Sequence, residues 1–164
     1  MTEDGPVLKS CGDCGLCCKL LGVEAIGKAP GKMCAHFRRG LGCRIYADRP
    51  AACGDFICYW LRAPNLDESW RPDRAGFVLH ASEHGRILNV ELDPARAQAW
   101  RAEPYQSRLR AWAAQGAARA LELRVWNGRR CLRLTSAGEE DLGLQRPAVT
   151  LPKAKAARRS RAQP

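Results

Sequence analysis

The sequence has no long hydrophobic segment. Its longest unbroken apolar run is ICYWL at positions 57–61, far shorter than the roughly 20 residues that a membrane-spanning helix needs. The first ten residues, MTEDGPVLKS, carry two acids and no apolar core, so they do not have the pattern of a secretory signal. These two absences predict a soluble, cytoplasmic protein with no membrane partner.

Several catalytic patterns are missing as well. The sequence has no phosphate-binding glycine loop, no dinucleotide-binding fingerprint, no paired-carboxylate site and no nucleophile-elbow serine. None of its three histidines forms a recognisable local pattern with a cysteine. No small-molecule substrate is therefore indicated, and the sequence leaves open whether the protein is an enzyme.

Acidic residues are absent from the last segment, residues 146–164. Its six basic residues supply +6 of the formal net charge of +10, and no large apolar residue follows Leu151. This composition predicts a disordered basic tail. Such a tail can attract nucleic acid or an acidic partner, or it can simply remain solvated. Residues 1–145 are predicted to form a single domain.

Cysteine is unusually frequent. The chain has nine, and eight of them lie between residues 11 and 58, whereas Cys131 stands alone. A disulfide framework is not expected in the reducing cytoplasm, where clustered cysteines more often indicate a metal site or catalysis. Few apolar residues separate the eight, so a bound metal would supply stability that burial does not.

The first four cysteines have an instructive spacing. Cys11, Cys14 and Cys17 match the run that ligates three irons of a cubane cluster in bacterial ferredoxins. The fourth ferredoxin cysteine comes later and precedes a proline, whereas Cys18 follows at once and Lys19 comes next. Adjacent residues on a helix point about 100° apart. Cys17 and Cys18 are therefore poorly placed to bind one ion, and one of them serves a second site or bridges.

Eight thiolates suffice for two four-sulfur sites, or for one such site with four further thiols. Zinc and iron–sulfur clusters both accept four thiolates, and the cubane spacing slightly favours iron–sulfur. Residues 11–62 hold eight basic and four acidic residues, and this excess of +4 would neutralise two dications or 2+ clusters, each with four thiolates. His36, at Cys-x-His spacing from Cys34, is an alternative ligand or a solvated imidazole. Cys11 and Cys14 are also spaced as a redox pair, but without the usual βαβ setting.

The predicted fold class is α+β. The metal-binding region, residues 8–62, is expected to be metal-stapled and loop-rich, with short helices at 15–21 and from Pro50 onward. The second part, residues 63–145, is expected to form a hairpin, a helix and a second hairpin. Together these would make an antiparallel sheet with a helix packed on it.

Local patterns place the elements of this second part. Strands are predicted at 76–82 and 86–92, followed by a helix over 95–115 that is interrupted at Pro104 and closed by Gly116. Asn127-Gly128 predicts a hairpin with a two-residue turn. The expected cross-strand pairs are Leu123 with Leu132, Leu121 with Leu134, and Glu122 with Arg133. The same register places Cys131 opposite Arg124 on the charged face, as an ordinary strand residue and not a ligand.

The cysteine strings CGDCGLCC, MCAH, GCRIYADRPAAC and FICYWL resemble the YkgJ-type cysteine-cluster family over roughly residues 8–62. Its members are bacterial proteins described as zinc- or iron-chelating domains with a CxxCxxCC motif. One departure is Gly54, where an arginine is expected. The resemblance implies that the chelating residues are Cys11, Cys14, Cys17, Cys18, Cys34, Cys43, Cys53 and Cys58.

A related cysteine motif occurs in flagellin lysine methylases, where it is associated with an iron–sulfur cluster, but this chain is short for a methylase and has no cofactor fingerprint. The expected function is a cytosolic metal-binding protein that holds an iron–sulfur cluster, such as 4Fe-4S, or zinc. It would act in electron transfer, metal handling or as an accessory subunit of a protein partner. One alternative is a metal-stapled interaction module that binds nucleic acid or protein through basic surface and tail. The other is a redox or transferase enzyme component.

Overall fold

The computed structural model describes residues 9–145 and 149–153. The cysteine region consists of short elements joined by turns. They are α1 (Leu16–Leu20), β1 (Gly22–Val23), β2 (Phe37–Arg38), β3 (Gly42–Cys43), α2 (Ala51–Asp55) and α3 (Tyr59–Arg62), with 3-10 turns at Glu24–Ile26 and Tyr46–Asp48. The two predicted helices of this region are confirmed as α1 and α2, and Pro50 is the N-cap of α2.

A five-stranded sheet dominates the rest of the chain, so the fold is α+β as predicted. The elements are α4 (Pro72–Ala75), β4 (Phe77–Ser82), β5 (Ile87–Leu92), α5 (Tyr105–Ala117), β6 (Glu122–Asn127), β7 (Arg130–Thr135), β8 (Gly138–Leu144) and β9 (Thr150–Leu151). Single 3-10 turns lie at Glu68–Trp70, Glu83–Gly85, Pro94–Arg96 and Ala99–Arg101. The sheet order is β4-β5-β6-β7-β8, and the predicted first hairpin is confirmed as β4 and β5.

The prediction of a wholly antiparallel sheet is wrong, because the central strands β5 and β6 are parallel. Val90 lies opposite Val125 in this pair. Residues 93–121, which include α5, carry the chain back to the end of the sheet from which β5 started. A connection of a dozen residues or more is what parallel neighbours require.

The predicted helix over 95–115 is shorter and starts later. Its first part is two 3-10 turns, and the α-helix begins only at Tyr105, directly after Pro104. Proline fits before a first helical turn, because its missing N–H is not needed there. Gly116 does not close the helix but lies within it, and the carbonyl of Gly116 accepts a hydrogen bond from the Leu121 N–H at 3.0 Å.

The predicted register of the second hairpin is also wrong, by one residue at the turn. Asn127 pairs with Arg130, so the two turn residues are Gly128 and Arg129. Gly128 has a φ of 59°. A glycine in the first turn position is typical of a type II′ turn, whereas an Asn-Gly turn needs positive φ at both central residues.

The corrected register changes which side chains meet. Leu123 faces Leu134, and Val125 faces Leu132. Cys131 lies opposite Trp126 and not Arg124, and it is completely buried. Cys131 is thus a buried strand residue that lies opposite a large aromatic residue.

Strand β8 was not predicted, because its sequence GEEDLGL has no apolar alternation. Its charges pair with neighbouring elements instead: both guanidinium nitrogens of Arg101 lie 2.7 Å from the Glu139 carboxylate. Arg133 in β7 also pairs with Glu140 in β8 at 2.5 Å. Charge pairing across strands therefore takes the place of apolar contacts at this edge of the sheet.

Part of the predicted disordered tail is ordered. Strand β9 pairs in parallel with β1, with Thr150 opposite Gly22. The Gly22 N–H donates to the carbonyl of Val149 at 2.8 Å, and the Lys153 N–H donates to the Glu24 carboxylate at 2.8 Å. The unpaired edge of β1 thus gives this segment backbone partners. Residues 146–148 and 154–164 of the predicted tail lie outside the described residues.

One hydrophobic core extends from the sheet into the cysteine region. Buried side chains of the sheet and α5, such as Val90 and Leu109, belong to the same cluster as Leu16, Cys58 and Trp60. An ion pair between Lys19 and Asp93, at 2.7 Å, also links α1 to the end of β5. The cysteine region is therefore packed on the sheet. Within the part of the chain that the structure describes, no helix has the length and apolarity to cross a membrane.

Candidate metal centre

The eight clustered cysteines line one cavity of about 300 Å³. Seven of the eight side chains are half-buried, and Cys58 is buried. The thiols come from successive parts of the cysteine region: Cys11 and Cys14 from the loop before α1, Cys17 and Cys18 from α1, Cys34 from the segment before β2, Cys43 from β3, Cys53 from α2 and Cys58 from the N-cap of α3. Cysteines as far apart in the sequence as Cys11 and Cys58 thus line the same cavity.

Backbone hydrogen bonds bring the thiol-bearing segments together. The Cys14 N–H donates to the carbonyl of Cys11 at 2.8 Å, which closes the first Cys-x-x-Cys turn. The Cys34 N–H donates to the carbonyl of Cys18 at 3.0 Å, so the second segment is anchored on α1. The Phe37 N–H then donates to the carbonyl of Cys34 at 3.0 Å, and Phe37 pairs with Cys43 across the β2–β3 hairpin.

Gly42 allows the hairpin to lie directly on the first cysteine turn. Its φ is 82°, and a Cβ at this position would lie 2.1 Å from the carbonyl oxygen of Gly12. This backbone conformation is unfavourable for any residue with a side chain, and the close approach to Gly12 leaves no room for a Cβ. The relative position of the first and third cysteine segments therefore depends on this glycine.

The adjacent thiols Cys17 and Cys18 interact directly. The pKa of Cys18 is lowered to about 7. A hydrogen bond from Cys17 is the main cause, the nearby Lys28 ammonium also lowers this pKa, and burial acts in the opposite direction. The pKa of Cys17 is raised well above its usual value, first by that hydrogen bond and then by burial. Without a bound cation, only one of the two neighbours thus readily carries a negative charge.

Burial opposes ionisation of four further cavity thiols. It raises the pKa of Cys58 to about 11, and it also raises the pKa values of Cys11, Cys14 and Cys53. A bound metal cation reverses this preference, because it stabilises the thiolate form of its ligands. These thiols would therefore ionise more readily with a cation bound in the cavity than without one.

Two basic side chains border the cavity thiols. Lys28 donates to the carbonyl of Lys19 at 3.0 Å and to that of Leu21. Burial lowers the pKa of Lys28, whereas the thiolates near it, with Cys34 the strongest, act to raise it. Positive charge is thus held next to the sulfurs by hydrogen bonds to the end of α1.

Arg49 is the second of these bases. Its guanidinium lies 3.9 Å from the centroid of the Tyr46 ring, and its charge acts to lower the pKa of Cys11. A Cβ added at Gly54 would lie 3.6 Å from Nε of Arg49. The arginine that the resemblance predicted at position 54 is absent, and Arg49 instead brings a positive charge to this point.

The donor set fits a thiophilic metal, but coordination is not preformed. Four thiolates per site suit zinc and iron–sulfur clusters, and eight thiols share the cavity. Among residues 9–145 and 149–153, however, no three Cys, His, Asp or Glu side chains are grouped so that they could hold a metal ion. Binding would therefore require the cysteine loops to draw their sulfurs together. His36, the alternative ligand, also lines the cavity.

A buried polar network beside the cavity was not recognised from the sequence. His80 Nε2 lies 3.0 Å from the Glu91 carboxylate, and the His80 ring packs 5.5 Å from the ring of Phe56, which lines the cavity. Asn89, on the same face, accepts the indole N–H of Trp126 at 2.8 Å. The sequence signal that could have revealed it is the presence of His80 in β4 and of Asn89 and Glu91 in β5, which lie on one face of two otherwise mostly apolar strands.

Comparisons of this chain with models of protein families, with curated proteins and with solved structures found no match. The resemblance to YkgJ-type proteins therefore stays a prediction from the cysteine strings.

Proposed function

We propose that this protein is a cytoplasmic metal-binding protein that holds an iron–sulfur cluster or zinc through the eight cysteines of the cavity. The observation that carries the proposal is that all eight thiols line one cavity, although they come from loops and short elements spread over residues 11–58. Its role would be electron transfer, metal handling or support of a protein partner as an accessory subunit.

The chemistry of the surroundings supports this proposal. Thiolates are the ligands that zinc and iron–sulfur clusters prefer. Lys28 and Arg49 offset the negative charge of the sulfurs, and apolar side chains such as Leu21 and Phe56 limit the access of water. When bound, an iron–sulfur cluster would supply one-electron transfer, whereas zinc would act as a structural staple.

Alkylation of thiols in the native protein tests the proposal. We expect the eight cavity cysteines to be protected in protein purified without oxygen, and to react after metal is removed by a chelator. Cys131 provides the control, because it is buried away from the cavity and Cys131→Ser should leave the metal-dependent count unchanged. If chelation exposes fewer than four thiols, the proposal is wrong.

A second candidate function is thiol–disulfide exchange, which the lowered pKa of Cys18, about 7, favours. The Cys18 thiolate would attack a disulfide of a substrate protein, form a mixed disulfide and release one thiolate of the substrate. Cys34 or Cys53 would then attack Cys18 Sγ and release the second substrate thiolate. The net result is oxidation of two cysteines of this protein and reduction of one disulfide of the substrate.

Metal-free reduced protein tests this second function by its reaction with a protein disulfide. Cys18→Ser should abolish reduction of the disulfide, and Cys131→Ser should not affect it. Equal rates for the two variants would contradict a special role of Cys18.

A further inference from the structure

We propose that the β2–β3 hairpin, together with the basic segment at the end of the chain, binds single-stranded nucleic acid. The hairpin surface is defined by Arg38, Arg39 and Arg44 and by Tyr46, which follows them. Its partner is a flexible phosphodiester strand, held by its phosphates and by stacking of a base, without reading of the base sequence. This surface adds a partner to the proposed metal-binding function and does not require a particular metal.

The hairpin concentrates positive charge that the rest of the fold leaves unpaired. Residues 27–50 contain six basic residues and one acidic residue, Asp48. Arg38, Arg39 and Arg44 are exposed, and within the described part of the chain their guanidinium groups form no ion pair or hydrogen bond. The two arginines of β7 show the contrast, because both pair with acidic residues of β8. The charge of the hairpin is therefore available to a partner.

The register of the hairpin directs its arginines outward. Phe37 and Cys43 lie opposite each other across the hairpin. The Phe37 ring packs on Gly15, the N-cap of α1, where a Cβ would lie 2.3 Å from it. Because successive side chains of a strand point to opposite faces, Arg38 and Arg44, which come next to this pair, point away from α1. Their exposure agrees with this orientation.

The tip of the hairpin adds the third arginine. The Leu41 N–H donates to the carbonyl of Arg38 at 3.0 Å, which closes a turn with Arg39 and Gly40 at its centre. Every basic residue of the hairpin surface is thus an arginine. The planar guanidinium group of arginine can bind a phosphate through two parallel hydrogen bonds, which a lysine ammonium cannot do.

An aromatic ring lies beside these cations. Tyr46 follows Arg44 by two residues and is 48% exposed. The guanidinium of Arg49 lies 3.9 Å from the centroid of the Tyr46 ring and donates to the Tyr46 carbonyl at 2.9 Å. Bases stack on aromatic rings and on arginine in proteins that hold single strands without sequence preference. The exposed part of this tyrosine–arginine pair therefore suits an unpaired base.

The second basic segment begins beside the same cavity. Leu151 of β9 lines the cavity that Tyr46 also lines. The Lys153 N–H donates to the Glu24 carboxylate at 2.8 Å, which anchors the start of the basic segment on the cysteine region. Residues 154–164 hold four further basic residues and no acidic one, and a segment of this length can reach at most about 40 Å. One bound strand can therefore contact both basic segments.

The combination of charge and ring favours nucleic acid over an acidic protein. Residues 27–50 and 151–164 together hold eleven of the 27 basic residues of the chain and one acidic residue. A nucleic acid strand carries a phosphate at every nucleotide and releases counterions when such a surface neutralises it. An acidic protein segment would meet the same charges but would make no use of the stacked Tyr46 ring.

Fluorescence anisotropy with a labelled oligothymidine of about 20 nucleotides tests the proposal on the full-length protein purified without oxygen. The hairpin variant carries Arg38→Gln, Arg39→Gln and Arg44→Gln. It should bind at least about tenfold more weakly at about 0.1 M salt, and the slope of log affinity against log salt should fall by about 2. Because these side chains are exposed and unpaired, circular dichroism should show an unchanged fold.

A matched control variant removes three exposed arginines from the sheet part of the molecule: Arg86→Gln, Arg119→Gln and Arg129→Gln. It lowers the net charge by the same amount and should weaken binding clearly less. Equal weakening by the two variants would show that net charge alone attracts the strand, and would overturn the assignment to the hairpin. Failure of the unchanged protein to bind the oligonucleotide at about 0.1 M salt would overturn the proposal as a whole.

Two further measurements identify the class of partner. Tyr46→Ala should weaken oligonucleotide binding about fivefold or more, and Tyr46→Phe, which keeps the ring, should restore most of the affinity. A polyglutamate peptide of the same length should bind more weakly than the oligonucleotide and should not respond to Tyr46→Ala. Equal affinity for the two probes, with the same response to Tyr46→Ala, would assign the surface to an acidic protein and contradict the choice of nucleic acid.

Discussion

Cys17 and Cys18 are adjacent thiols whose pKa values are shifted in opposite directions. Their spacing indicated that they could not easily share one ion. In the structure Cys17 packs against the hydrophobic core, and the two side chains form a hydrogen bond with each other. The lowered pKa of Cys18 could not be predicted from the sequence. It depends on a hydrogen bond from Cys17 and on the charge of Lys28. The ammonium group of Lys28 is held in place by hydrogen bonds to the carbonyls of Lys19 and Leu21.

The reactivity of Cys18 in the metal-free protein should depend on pH. Its alkylation rate should rise as pH increases through about 7, where the thiolate forms, whereas Cys58 should react only near its pKa of about 11. Lys28→Gln removes a cation that stabilises the thiolate, so it should raise the pKa and slow alkylation at neutral pH severalfold. The measurement is mass-spectrometric quantification of each labelled cysteine.

The matched control for this change is Lys32→Gln. Lys32 is exposed and is not among the groups that shift the pKa of Cys18. It should leave the rate unchanged. Equal slowing by both substitutions would mean that a general change of net charge, and not the local position of Lys28, controls Cys18.

Gly42 and Gly40 form a second pair for comparison. Both have left-handed backbone angles, with φ of 82° and 77°, but only at Gly42 would a Cβ meet a backbone atom, 2.1 Å away. Gly40→Ala should cost about 1–2 kcal/mol of unfolding free energy from the backbone angle alone. Gly42→Ala should cost clearly more and should weaken metal binding, because the hairpin must move away from Gly12. Urea unfolding and cobalt titration measure the two effects, and equal costs at both positions would contradict the close approach.

At the scale of elements, the sequence revealed which segments are strands better than how the strands pair. Two short runs of strand-forming residues joined through Gly85 were sufficient to identify β4 and β5. Strand direction is set by the path of residues 93–121, which no local pattern describes, so the parallel pair was missed. Asn127-Gly128 indicated a turn, but the register depended on which residues occupied the central positions. The edge strand β8 is stabilised by ion pairs with Arg101 and Arg133 and carries no apolar signal.

The buried network on β4, β5 and β6 should contribute measurably to stability. Trp126→Phe removes the indole N–H that Asn89 accepts at 2.8 Å and leaves a buried amide oxygen with one donor fewer. Loss of such a partner costs about 1–3 kcal/mol, to be measured by urea unfolding. The control is a cycle with Asn89→Ala, in which the pair should show a coupling of about 0.5 kcal/mol or more. Strict additivity would show that this hydrogen bond does not stabilise the sheet.

At the scale of the whole molecule, a well-packed sheet supports a cysteine region made of helices and strands of two to five residues. The sequence predicted this contrast, because apolar residues are sparse between residues 11 and 58 and frequent beyond. It did not predict that Leu16, Cys58 and Trp60 would join the core of the sheet. Those contacts require the folded arrangement of distant segments, and they hold the cysteine region against the sheet.

Removal of the metal should destabilise the molecule unevenly. Ligand at about 1,000 times its dissociation constant contributes about 4 kcal/mol to folding, so chelation should lower the melting temperature substantially. The sheet should retain most of its circular dichroism below the transition, because ten of the eighteen buried residues of the core belong to its strands and to α5. Cys131→Ser should respond to chelation as the unchanged protein does. A melting temperature that does not respond to chelation would contradict a metal that staples the cysteine region.

The central claim is that the cavity thiols bind metal, and the most direct test is the content of iron, zinc and acid-labile sulfide in protein purified without oxygen, together with its visible spectrum. We expect either a brown protein with iron and sulfide in similar amounts or a colourless one with about one or two zinc ions per chain. The first result would establish an iron–sulfur protein, and the second would make the cysteines structural. Protein that carries neither metal above trace amounts, with its cavity thiols freely reactive, would contradict the account.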